Sequence, residues 1–221
     1  MGTHGNLRSR TIVFCALALL VLAAALAVAA CGSDAAPTDL PTRTTPVAAY
    51  SFPPQESLSK DAPRAYARGT DGIEFVPWAD IEVTDLGYYD DNGDGLLSEH
   101  TVGVFEKSSQ DLVSDTVTIE GGSTLKDGFR YETITPVVLK GGTSYVLAGG
   151  TSTPYDLIVA DPSDAAWAPE VRFTELLWGR SASGEAFRFP RDEETHFYAT
   201  LRSAVNFMFR TPASPASAAT P

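Results

Sequence analysis

The feature that most limits what this chain can fold into is a side-chain period of two, broken at short intervals by glycine-bearing turns. His100-Thr101-Val102-Gly103-Val104-Phe105 alternates, Val113, Val117 and Ile119 share a face, Phe129 and Tyr131 share another, and Val205, Phe207 and Phe209 mark a last strand. Successive strand residues point to opposite faces, so this pattern buries one face and solvates the other. No stretch keeps helical spacing beyond two turns. Between the runs stand Asn92-Gly93, Asp94-Gly95, Gly121-Gly122, Asp127-Gly128 and Gly141-Gly142, pairs that accept positive φ at little cost. The expectation is a single all-β, mostly antiparallel domain over residues 66–210, a β-sandwich or jelly roll. In the run from Ile81 to Tyr89 the apolar phase slips from Ile81 and Val83 to Leu86 and Tyr88, which predicts a bulge or sheet switch near Asp85.

The ends read differently. Residues 1–30 have the three parts of an export signal: a basic start with Arg8 and Arg10, an uncharged apolar run from Ile12, and small residues Val28-Ala29-Ala30 before Cys31. That ending resembles the lipobox at which bacterial lipoproteins are cleaved and acylated, which implies a lipidated Cys31 as the mature first residue and an extracytoplasmic, membrane-anchored protein. An uncleaved membrane anchor and a conventional signal peptide are the competing readings of the same run. With Cys15 inside the signal and Cys31 acylated, no internal disulfide remains. Residues 31–65, rich in Pro, Thr and Ala, read as a tether whose extended reach is roughly 100 Å at about 3.1 Å per residue. Residues 211–221 read as a disordered tail.

Charge is unevenly spread. The 221 residues carry 28 acids against 16 Lys and Arg, and removing residues 1–30 leaves a net charge of −14. Residues 71–120 hold thirteen acids against the single base Lys107, whereas residues 121–221 hold eleven against nine. Such a balance excludes a phosphate-backbone binder, so no nucleic-acid partner is expected. It calls for a cation near the acidic third, or for acids dispersed over a solvated face.

Ile81-Glu82-Val83-Thr84-Asp85-Leu86-Gly87, Asp90, Asn92-Gly93-Asp94-Gly95-Leu96, His100-Thr101-Val102-Gly103-Val104, Gly128-Phe129-Arg130-Tyr131 and Gly142-Thr143-Ser144-Tyr145-Val146-Leu147 together carry a resemblance. They resemble secreted bacterial β-sandwich domains of unknown function that often end in a PEP-CTERM sorting tail, and Asn206-Phe207-Met208-Phe209 is similar to their final strand. The resemblance spans about residues 70–210 and implies a fold and an extracytoplasmic setting, with no activity to carry over. Here an N-terminal lipobox stands in place of the sorting tail.

Three site chemistries compete. Asp90, Asn92 and Asp94, followed by Gly95 and Glu99, form the first half of a calcium loop, because a hard cation needs converging oxygens and the glycine permits the turn. The loop's second half departs from the pattern, with Thr101 where a bidentate Glu belongs, so the same residues also read as plain hairpin turns. Trp78, Tyr88, Tyr89, Trp167 and Trp178 are the pool from which a sandwich face could offer stacking surfaces to sugar rings, with Tyr88 and Tyr89 facing opposite ways. Catalysis has thin support: His100 and His196 lie outside any zincin spacing, the Gly179–Gly184 segment around Ser181 and Ser183 lacks the nucleophile-elbow pattern, and abundant acids do not by themselves make a catalytic pair. The expected protein is a non-enzymatic envelope lipoprotein whose module binds carbohydrate, an envelope polymer or an envelope protein. A calcium-stabilised adhesion domain and a carboxylate-pair hydrolase are the alternatives, and calcium is the one cofactor in view.

Overall fold

The computed structural model describes residues 36–52, 69–90, 93–151, 165–180, 187–191 and 204–213. Twelve strands run through them: β1 Val47–Ala48, β2 Tyr50–Ser51, β3 Gly69–Pro77, β4 Ile81–Tyr89, β5 His100–Glu106, β6 Val117–Ile119, β7 Thr124–Lys126, β8 Phe129–Leu139, β9 Tyr145–Thr151, β10 Ala166–Trp167, β11 Val171–Arg180 and β12 Val205–Arg210. No helix occurs among the described residues, and every strand pairing is antiparallel. The chain is the all-β sandwich that its period of two calls for. One sheet has the order β1-β12-β4-β8-β7, the other β11-β3-β9-β5-β6, and β10 with β2 forms a separate two-stranded ribbon.

The core lies between the two sheets. Phe207 of β12 meets Phe75 of β3 at 4.8 Å between ring centroids, and Tyr88 of β4 stacks on His100 of β5 at 3.7 Å. The phase slip in β4 is a bulge: register against β8 shifts between Val83 and Asp85, so Ile81, Val83, Leu86 and Tyr88 all stay buried. Asp127 and Gly128, with φ of 52° and 80°, make the two-residue turn between β7 and β8, where both central residues must be left-handed. Val113 lies outside the strands, its N–H donating to the Val104 carbonyl at 2.8 Å.

Two features depart from the sequence reading. The fold begins inside the stretch assigned to the tether: β1 pairs with β12, Ala49 and Tyr50 are buried, and the Tyr50 hydroxyl donates to the Val205 carbonyl at 2.5 Å. Arg43 fastens this entry further: its N–H donates to the Thr211 hydroxyl, its carbonyl accepts from the Thr211 N–H, and its guanidinium pairs with Glu170 at 2.6 Å. The apolar run here is too short to show a period, and β12 supplies the pairing that propensity does not. Second, the outward face of the β11-β3-β9-β5 strands carries a small core of its own. Phe187 and Phe189 pack there on Phe105, Val146, Ala148 and Leu177. The segment lies against Gly72, Gly103 and Gly179, where any Cβ would come within about 3 Å of Pro190, Phe187 or Arg191.

Candidate functional site

The acidic loop after β4 closes on a cation that the chain supplies itself. Asp90 ends the strand with its N–H donating to the Gly128 carbonyl at 2.9 Å, and its carboxylate turns inward, 2% exposed. The Arg130 Nε donates to Asp90 Oδ2 at 2.5 Å, and the Gly95 N–H reaches both carboxylate oxygens at 3.1–3.2 Å. The same guanidinium donates to the Ser123 carbonyl at 2.9 Å and, at a longer 3.4 Å, to the Gly93 carbonyl. One carboxylate oxygen and two backbone carbonyls are the kinds of oxygen a calcium ion would collect, and here a planar fork of N–H donors collects them. Asp94 and Glu99 are exposed, and Asn92 lies outside the described residues. Among the described residues no three His, Cys, Asp or Glu side chains converge as metal ligands.

Three more acids of that third are answered in the same way. Glu74 pairs with Lys107 at 2.7 Å, Asp80 with Lys140 at 2.7 Å, and Glu82 with Arg210. Three of these four cations, Arg130, Lys140 and Arg210, come from residues 121–221, so folding brings the two unequal halves of the charge distribution together. Lys107 also reaches Glu175 at 3.1 Å, opposite Glu74 in the β11–β3 register. Burial raises the Glu74 pKa by itself, but hydrogen bonds from Lys107 and Ser144 outweigh it and hold the carboxyl below the usual range. A glycosidase needs one acid kept protonated near a second carboxylate. This lysine-bridged pair is arranged the opposite way.

The aromatic candidates separate into two groups. Tyr88 is core, flat against His100, whose Nδ1 sits 3.0 Å from the Gly150 carbonyl and must be the donor there, since a carbonyl only accepts. Tyr89 points away from that layer and packs edge-on against Phe52 and Phe129 at 5.7 and 5.3 Å. The three tryptophans are half-exposed and gather along β11. Trp78 lies under the Arg172 guanidinium at 4.9 Å, Trp167 stacks on Phe173 at 5.5 Å, and Trp178 belongs to β11 itself. Arg172 to Trp178 is six strand steps, roughly 20 Å at about 3.3 Å per residue.

One functional group lies outside the sequence reading. Asp71 is in phase with Ile73 and Phe75 on the core face of β3, is 7% exposed, and its Oδ2 has no hydrogen-bond partner among the described residues. Burial pushes its pKa up to about 7. The signal was available: an acid two and four residues before core positions of one strand faces the core with them. Cys31, Ser181, Ser183 and His196 lie outside the described residues. In comparisons with known proteins, no family model and no curated protein matches this chain.

Proposed function

We propose that the chain is an envelope lipoprotein, anchored through Cys31, whose β-sandwich is a non-enzymatic module for carbohydrate or another envelope polymer. The observation that carries this reading is the pair of half-exposed indoles near the two ends of the edge strand β11, Trp78 and Trp178; Trp167 is packed on Tyr50 and Phe173, and Tyr88 and Tyr89 are likewise spent on packing. Flat aromatic surfaces take the apolar C–H faces of sugars, and neighbouring polar groups fix their orientation. The lipobox and the resemblance to secreted sandwich domains support the same setting.

The test is cosedimentation of the full-length protein in detergent with insoluble peptidoglycan, beside Trp78→Ala and Trp178→Ala variants. Retention that falls with each substitution is expected, and Cys31→Ser is expected to move the protein from the membrane to the soluble fraction. Retention indifferent to both tryptophans would sink the binding edge, and a Cys31→Ser variant still in the membrane would sink the anchor.

A further inference from the structure

The chain enters the sandwich through a stretch whose threonines the fold treats unequally. No strand or helix forms from residue 36 to residue 46, where Pro37, Pro41 and Pro46 stand among Thr38, Thr42, Thr44 and Thr45. Burial there recurs every third residue. Leu40, Arg43 and Pro46 are half-buried, whereas Pro41, Thr42, Thr44 and Thr45 between them, and Thr38 before them, are exposed. Arg43 holds that arrangement in place through Thr211 and Glu170. Thr211 supplies the contrast. It too stands beside a proline, Pro212, but it is half-buried and its Oγ1 accepts from the Arg43 N–H at 2.8 Å. Five threonines at one entry are thus divided into four that are exposed and one whose hydroxyl is engaged.

Exported stretches rich in threonine and proline are typical carriers of O-linked sugars. Proline withholds an N–H and biases its neighbour away from helix, so the backbone stays extended and open to a transferase. Phosphorylation would use the same hydroxyls, but each phosphate adds about two negative charges. The chain already carries −14 once residues 1–30 are removed, and a neutral sugar adds nothing to that.

We propose that Thr38, Thr42, Thr44 and Thr45 are O-glycosylation sites and that Thr211 is left bare. In the transfer the threonine Oγ bonds to the anomeric carbon of a sugar phosphate donor. The bond from that carbon to the phosphate oxygen breaks, the phosphate leaves with the electron pair, and the hydroxyl proton passes to a base of the transferase. Export of the chain rests on the envelope reading above, while the choice among threonines rests on their exposure. The experiment is intact-mass and fragment mass spectrometry of the full-length protein, extracted in detergent from the membranes of the cells that naturally make it. A second sample carries Thr38→Ala, Thr42→Ala, Thr44→Ala and Thr45→Ala together. The native chain is expected to exceed its acylated mass by whole sugar increments, with fragments placing them between residues 38 and 45 and none on Thr211. The fourfold variant should lose those increments and, its changes being exposed, keep the native urea midpoint. An acylated Cys31 with no sugar on these threonines would overturn the inference while sparing the anchor. Sugar on Thr211 as often as on Thr42 would overturn the division by exposure, and a chain with neither acyl nor sugar would overturn both readings.

Discussion

Asp90, just after β4, and Asp71, in β3, are both sunk into the same sandwich, and they differ in what meets the carboxylate. Asp90 finds a guanidinium and a backbone N–H. Asp71 has Trp178 and Gly149 in the opposing positions, and its Oδ2 has no partner among the described residues. Burial is therefore not what separates a structural acid from one with chemistry left over. The supply of a cation is, and the chain supplies one to Asp90 from forty residues away while supplying none to Asp71 among the described residues.

The largest effect expected is at the partnered acid. Arg130→Met keeps the stem and removes the charge, leaving Asp90 buried and alone, which costs on the order of 3–5 kcal/mol. In a domain of this size that lowers the Tm by roughly 10 °C in a calorimetric scan. Arg130→Ala adds a sharper arm, because it vacates the position that joins Asp90 to the Gly93 and Ser123 carbonyls. Millimolar calcium should raise the Tm of that variant and leave the native chain unmoved. A native chain that responds as strongly would mean that Arg130 is not the loop's cation.

Next comes the unpartnered acid, where the sign is reversed. With its pKa up at about 7 against an ordinary 3.8, Asp71 holds a proton in the folded state over a range where the unfolded chain has released it. Its stabilising contribution is complete below about pH 4 and is lost as the pH rises through about 7. Asp71→Asn should therefore match the native chain near pH 4 and exceed it at pH 8 by a few kcal/mol, read from urea midpoints at both pH values. Equal gaps at the two pH values would show that Asp71 is not desolvated as the geometry has it.

How much of this could be read in the sequence follows from how local each cause is. The β4 bulge was legible because a phase slip of Ile81, Val83, Leu86 and Tyr88 is written in consecutive residues. The Asp127-Gly128 turn was legible for the same reason. The start of the fold at Val47 was not, since two-residue strands carry no period and are held by β12, some 160 residues on. Arg130 as the occupant of the Asp90 loop was invisible because Arg130 and Asp90 meet only through the β4–β8 register. Asp71 lies between these cases: its phase with Ile73 and Phe75 was in plain view, but the lack of a partner is a tertiary fact.

The smallest effects belong to the paired acids nearer the surface, and they grade with the burial of the carboxylate. Glu74 has an 11% exposed side chain and holds Lys107, whereas Asp80 is 45% exposed and holds a Lys140 that is 69% exposed. Lys107→Ala should cost about 1 kcal/mol after allowance for solvent screening, and Lys140→Ala should leave the urea midpoint where it was. The pH sense of the first runs opposite to that of Asp71. Hydrogen bonds from Lys107 and Ser144 hold the Glu74 carboxyl below its ordinary range in spite of burial, so the contribution of the pair is present above the ordinary glutamate pKa and fades as acid protonates Glu74. The Lys107→Ala penalty should therefore shrink on acidification while the Asp71→Asn gain shrinks with it for the contrary reason, the native acid at position 71 having regained its proton. If Lys140→Ala proves as costly as Lys107→Ala, partner burial does not set the worth of a pair on this sandwich, and the contrast between Asp90 and Asp71 would need another cause.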